Sequence, residues 1–198
     1  MNITWTKYQA IVMGASAGGL KAIRQLVYAL PASFPLPVII VQHIATDSSL
    51  RWITSINNQA IIHVKEANIG EKAQGGIVYF APPGYHLLVE TNCTFTLTLD
   101  ERVNYARPSI DVLFETATDA WKHKLIGIVL TGSNQDGAYG LSLIKEAGGL
   151  AIVQKPEEAE SPEMPQAAIR RANPHWILSI QEITDLLITN LVSSPTVN

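Results

Sequence analysis

The chain has 198 residues, 47% of them hydrophobic and 16% charged, with a formal net charge of −3 from 14 basic and 17 acidic residues. That profile suits one folded domain with a sizeable core and excludes a disordered chain; without long runs of either sign it also excludes a nucleic-acid footprint and a polybasic membrane patch. Cys93 is the only cysteine, so no intrachain disulfide or cysteine metal site can form, which suits a reducing cytoplasm, and no apolar stretch reaches the roughly 18 to 20 residues of a membrane span.

After a polar lead-in over residues 1–7, Ala10 to Met13 is an apolar run of the kind a parallel strand covered on both faces uses. Leu20, Ile23, Leu26, Val27 and Leu30 then recur at helical spacing. Between them, Gly14-Ala-Ser16-Ala-Gly18 satisfies G-x-S-x-G in a strand–turn–helix context, which exposes a serine hydroxyl beside helix N-terminal amides. The same residues also read as an altered dinucleotide fingerprint, with serine in place of the second glycine, or as a helix that Ser16 merely caps. The local pattern leaves all three readings open. Ala15-Ser16-Ala17 resembles a signal-peptidase site, but the apolar run before it is too short and leads into an amphipathic helix, which excludes secretion by that route.

The proline-rich loop from Pro31 to Pro37 returns the chain to Val38–Val41, an apolar β-branched strand ending in Gln42-His43-Ile44. Thr46-Asp47-Ser48 predicts the start of a helix running through Asn57. His43 stands at a strand's carboxyl end, where a lone histidine is more often structural, yet it shares the level of Ser16 if the two strands are parallel. Ile61 to Lys65, Ile77 to Phe80, His86 to Glu90 and Cys93 to Leu99 read as strands, and Gly75-Gly76 and Pro82-Pro-Gly84 between them predict antiparallel hairpins through this middle third. The alternation in Thr94 to Leu99 gives that strand one wet face. His63, His86 and His123 lack metal-ligand spacing, read as surface or packing residues, and no metal site is expected.

Pro108 and Ser109 open a helix whose Ile110, Leu113, Phe114, Ala117 and Trp121 form an apolar stripe, read as core. Leu125 to Leu130 is another buried strand, and Thr131 to Gly137 is its loop into a helix carrying Ala138, Leu141 and Ile144. Taken alone, Asp136 is an ordinary helix N-cap. Leu150 to Val153 is a strand, a polar loop runs from Pro156 to Pro165, and a short helix with Ala168 and Ile169 precedes Trp176 to Leu178. Ser179-x-x-Glu182 forms a capping box for a last helix with Ile183, Leu186, Leu187 and Leu191 on its packing face. No internal repeat or composition shift divides residues 1–198.

Three apolar strands thus deliver Ser16, His43 and Asp136 to one edge of the inferred sheet. Acyl transfer needs that set: a hydroxyl made nucleophilic by an imidazole, and a carboxylate that fixes the imidazole's tautomer and stabilises its cation. The order Ser, His, Asp departs from the α/β-hydrolase order and argues against that family.

Gly14-Ala-Ser-Ala-Gly-Gly19, Val41-Gln-His43, Arg107-Pro-Ser-Ile-Asp111, Leu130-Thr-Gly132, Asp136-Gly137 and Met164-Pro165 stand in an order that resembles the catalytic domain of CheB-type chemotaxis protein-glutamate methylesterases. The resemblance runs from about residue 8 to the last helix. It implies a three-layer α/β/α fold with a doubly wound, mostly parallel sheet and an antiparallel hairpin insertion, over a single domain spanning 1–198. It further implies that Ser16, His43 and Asp136 match the catalytic triad and that the backbone amides of Ala17 and Ser133 form the oxyanion hole; Arg107 and Met164 are candidates for contact with the substrate, with a structural role for each as the alternative. Two departures stand out: Ala17 follows the nucleophile where the family commonly has threonine, and Ser133-Asn134 replace a methionine-glycine pair. They bear on substrate fit more than on the hole, because backbone amides survive side-chain changes.

The reaction so implied is cytoplasmic hydrolysis of glutamate γ-methyl esters on the cytoplasmic region of methyl-accepting chemotaxis receptors, with deamidation of receptor glutamines as a second activity, no cofactor and no membrane insertion. Many members carry an amino-terminal receiver domain; only seven residues precede Tyr8 here, so no receiver domain is expected within 1–198 and control is expected from a separate regulatory protein, if any. Three rivals stand beside this reading. A nucleotide-binding domain would want an acidic ribose ligand where this chain has His43, a receptor-binding module would keep the fold without turnover, and an esterase for another substrate would keep the triad but ignore receptors.

Overall fold

The computed structural model of the protein describes residues 5–44 and 51–189. Nine strands and six α-helices run along them: β1 Ala10–Ala15, α1 Gly19–Ala29, β2 Val38–Gln42, α2 Arg51–Asn57, β3 His63–Glu66, β4 Ile77–Phe80, β5 His86–Val89, β6 Phe95–Thr98, α3 Ile110–Trp121, β7 Leu125–Val129, α4 Ala138–Glu146, β8 Leu150–Gln154, α5 Glu163–Ala172, β9 Trp176–Leu178 and α6 Ile180–Thr189. The predicted helix start at Thr46 and the packing position Leu191 lie outside the described residues.

Seven strands form one sheet in the order β3-β4-β2-β1-β7-β8-β9, and every neighbouring pair is parallel. Strands buried on both faces need unbroken apolar runs, and β1, β2, β7 and β8 are buried along their whole lengths. Alternate side chains of β1 feed two cores. Ile11, Met13 and Ala15 pack with Ile23, Leu26, Ile56, Ile183 and Leu187, while Ala10 and Val12 pack with residues of α3, α4, α5 and the β5–β6 hairpin. The result is the expected three-layer α/β/α fold with an antiparallel hairpin insertion.

The middle third departs from its sequence reading. Only β5 and β6 pair antiparallel, whereas β3 and β4 are parallel strands of the main sheet. The reason is burial: Val78, Tyr79 and Phe80 are wholly enclosed, so β4 has no wet face and joins the doubly covered sheet instead of a hairpin. At the other end of the chain the capping box forms as read, with Ser179 N donating to Glu182 Oε2 at 2.7 Å and Glu182 N to Ser179 Oγ at 3.1 Å.

The chain starts in the middle of this sheet. From β1 it passes to β2, on to the edge strand β3 and back to β4 between them, then returns across β1 to β7 and winds the other way. The strand order therefore reverses beside β1, and the crevice beyond the carboxyl ends of such strands is where ligands of open α/β sheets bind.

Candidate active site

Ser16 leaves β1 at that reversal. Its amide donates to Thr131 O at 2.9 Å, and its carbonyl accepts from Gly19 N at 2.9 Å and from Gln42 Nε2 at 2.9 Å. The capping position of α1 is occupied by Gly18, with no side-chain cap, so Ser16 is not the helix cap. Its half-buried hydroxyl has no hydrogen-bond partner among the described residues.

His43 follows β2, held by its amide on Ala15 O at 3.0 Å and by Gln42 Nε2 donating to its carbonyl at 2.9 Å. Gln42 thus straps the serine turn to the histidine turn with one amide group. Ser16 and His43 line a single cavity of about 600 Å³ together with Arg102, Asn104, Tyr105 and Arg107. A second cavity, of about 670 Å³, adjoins it across Asn104.

Asp136 follows β7 and is completely buried. The Nε2–H of His43 donates to its Oδ2 at 2.9 Å. Four more donors converge on the carboxylate: Ile110 N at 2.7 Å on Oδ2, and Ser109 Oγ at 2.8 Å, Asn104 Nδ2 at 3.1 Å and Asp111 N at 3.1 Å on Oδ1. Burial alone would raise this carboxyl's pKa. The His43 hydrogen bond and charge, together with the Ile110 and Asp111 amides, outweigh it and hold the group below the usual carboxylate range.

The sequence explains how α3 comes so close. Gly14 and Gly137 flank Ile110, and a Cβ added at either would lie 2.3 Å or 2.7 Å from Ile110 Cγ2. Without those two glycines the helix start could not settle onto the carboxylate. The helix that follows Asp136 is capped by Gly137 with no side-chain bond, so Asp136 is not its N-cap; it serves the N-terminus of α3 instead. Asn104 reaches the same place from a tight turn closed by mutual amide bonds between Val103 and Ala106, donating also to Asp111 Oδ2 at 2.8 Å.

The amides of Ala17 and Ser133 have no partner among the described residues. The loop carrying Ser133 passes directly over the Ser16 turn, since a Cβ at Gly132 would lie 2.9 Å from Ser16 Cβ. Arg107 lines the cavity, but its Nη1 donates to Leu99 O at 2.7 Å and Asp100 O at 3.0 Å, tying down the segment before it. Met164 is buried beneath Gly132 and bears on the site through that glycine rather than presenting a surface to a substrate. His86 is a packing residue, as expected: Nε2 donates to Glu101 O at 2.9 Å, and Nδ1 accepts from Ser109 N at 3.2 Å.

Gln42, Asn104, Ser109 and Asn134 belong to the site, although sequence reasoning gave none of them a role in it. Gln42 carried a signal, being the one polar residue at the end of an otherwise apolar strand. Asn134 stood out as part of the Ser133-Asn134 departure, with a bearing on substrate fit and none on His43, and Asn104 carried no signal, because loop asparagines ordinarily serve turns.

A family model described as CheB methylesterase matches residues 11–187. A putative protein-glutamate methylesterase/protein-glutamine glutaminase of Leptospira interrogans is 49% identical over 181 residues, covering 91% of this chain and 94% of that protein. A protein-glutamate methylesterase/protein-glutamine glutaminase of Clostridium acetobutylicum is 34% identical over 180 residues, of which this chain spans about half the length, 52%. Among solved structures, the CheB methylesterase catalytic domain of Thermotoga maritima superposes with a TM-score of 0.87 at 29% identity, covering 92% of this chain and 98% of that domain.

Proposed function

The chain belongs to the CheB methylesterase family, and from that premise we propose that it hydrolyses glutamate γ-methyl esters on the cytoplasmic region of chemotaxis receptors, with Ser16 as nucleophile, His43 as base and Asp136 as the carboxylate that orients it. The observation carrying this reading is the 2.9 Å bond from His43 Nε2 to a wholly buried Asp136, in a histidine that shares its cavity with Ser16.

Because Nε2 is committed to Asp136, the nitrogen left for proton transfer is Nδ1. Ser16 Oγ attacks the ester carbonyl as its proton passes to Nδ1, and the developing oxyanion is held by the amides of Ala17 and Ser133. The imidazolium, stabilised by Asp136, returns the proton to the departing methoxide, releasing methanol. Water then attacks the acyl-enzyme under the same base, releasing glutamate and restoring Ser16. A glutamine side chain entering the same cycle releases ammonia and gives the same acyl-enzyme, which is the deamidase activity in the relatives' names.

One sheet covered on both faces supports reading residues 1–198 as a single catalytic domain. Among the described residues no helix is long and apolar enough to cross a membrane, in keeping with a cytoplasmic enzyme acting on receptors anchored elsewhere. The test is methanol release from methylated receptor membranes: turnover by the wild type that Ser16→Ala abolishes supports the reading, and equal release by both proteins overturns it.

A further inference from the structure

We propose that Asn134 is a latch on the base: it holds His43 as the neutral Nε2–H tautomer and occupies the Nδ1 lone pair that Ser16 must reach, so that it has to let go when substrate enters. The proposal rests on Ser16 and His43 being the nucleophile and its base. Asn134 Oδ1 accepts from the Asp136 amide at 3.0 Å. A backbone N–H only donates, so this bond fixes which way round the Asn134 amide lies and turns its NH₂ toward His43. Nδ2 then stands 3.3 Å from His43 Nδ1. An NH₂ group only donates, so Nδ1 is the acceptor and carries no proton; the ring's proton is on Nε2, facing Asp136 at 2.9 Å. Two independent neighbours therefore impose one tautomer.

That tautomer is the one the reaction needs, but its working lone pair is already taken. Ser16 Oγ makes no hydrogen bond to His43 among the described residues, while Asn134 lines the cavity beside both. The bond from Asn134 is long for an N–H···N contact and involves no charge, which suits a contact that is made at rest and released on demand. Once His43 takes the serine proton, Nδ1 becomes a donor and faces a second donor in Asn134, so the side chain must leave Nδ1 before or during attack. Asn134 is thus a positioning residue acting through His43, and it sets a threshold that an incoming ester has to overcome by displacing it.

The polarity of the contact gives a clean test, since aspartate keeps the acceptor for the Asp136 amide and reverses the sign at His43. The rate of labelling by a serine-directed fluorophosphonate is measured for wild type, Asn134→Gly and Asn134→Asp, with the ¹⁵N signals of the His43 ring read on the same proteins. Asn134→Gly is expected to label about two- to tenfold faster, the equilibrium worth of one neutral hydrogen bond removed from the resting base. Asn134→Asp is expected to label at least about a hundredfold slower, because its carboxylate draws a second proton onto the ring and leaves Ser16 without a base; both ring nitrogens then read as protonated. An Asn134→Asp protein that labels like the wild type, or an Asn134→Gly protein that labels no faster, overturns the latch. If either variant fails to fold, the wild-type spectrum decides alone: a resting Nδ1–H contradicts the proposal. Wild type that is not labelled at Ser16 at all would instead sink the nucleophile assignment.

Discussion

The backbone amide of Ile110 donates to Asp136 Oδ2 at 2.7 Å, so the first turn of α3 holds a carboxylate carried on a different loop. That helix start supplies two amides and the Ser109 hydroxyl, and the other two of the five donors are the Asn104 amide and the His43 ring. Asp136→Asn leaves an acceptor for Ile110 but presents an NH₂ toward His43 or Ser109 and removes the charge that stabilises the imidazolium. Turnover is expected to fall by about 10²- to 10⁴-fold with circular dichroism unchanged. Undiminished turnover in that variant would reduce Asp136 to a structural anchor for α3.

Ser16 is half-buried and its hydroxyl supports nothing in the resting fold, while its backbone carries the turn through bonds to Thr131, Gly19 and Gln42. Ser16→Ala is therefore expected to unfold within about 0.5 kcal/mol of the wild type yet to lose on the order of 10³-fold or more in methanol release. Fluorophosphonate adducts mapped by mass spectrometry on any other serine would displace it as the nucleophile.

Much of this was legible in the sequence because burial imposes simple patterns. The runs at Ala10–Met13, Val38–Val41 and Leu125–Leu130 could only be doubly covered strands, and once parallel they had to bring Ser16, His43 and Asp136 to one edge. β4 was misjudged because turn residues before and after it suggest a hairpin whatever lies between, and its pairing with β2 is a contact between segments far apart in the chain. Side-chain hydrogen bonds were harder still. Nothing local tells that Asn104 reaches Asp111 and Asp136 at once, since the contact exists only after the β7 loop and the start of α3 have been brought together.

The Ser16 turn depends on a missing side chain. A Cβ on Gly19 would lie 2.2 Å from Gln42 Oε1 and 2.6 Å from Ala15 Cβ. Gln42 cannot swing away without giving up its bonds to the Ser16 and His43 carbonyls, so Gly19→Ala must push on the turn itself. A loss of about 1 to 3 kcal/mol is expected in urea unfolding, with turnover reduced in the protein that remains folded. Wild-type stability and activity together would mean that Gln42 relaxes freely and does not strap the two turns.

Asp111 gives the fold a pH signature separable from the chemistry. Its Oδ1 accepts from Gly140 N at 2.8 Å and its Oδ2 from Asn104 at 2.8 Å. Burial, reinforced by the Asp136 charge and opposed by the Gly140 amide and Asn104, pushes its carboxyl from 3.8 up to about 6. Between those values the folded protein keeps a proton that the unfolded chain has released, so this group's contribution to stability is greatest near pH 4, falls as pH rises toward 6 and is level above. Asp136 has the opposite sign: its lowered carboxyl favours the fold above the ordinary range, and that support is lost as pH drops below about 4. Urea unfolding of the wild type between pH 4 and 6.5 therefore carries a component that declines by about 1 to 3 kcal/mol, and Asp111→Asn removes it. The substitution also sets an NH₂ against the Asn104 amide, which shifts the whole curve but not its slope. Wild-type and Asp111→Asn curves that run parallel across this window would show that Asp111 ionises alike in the folded and unfolded chain.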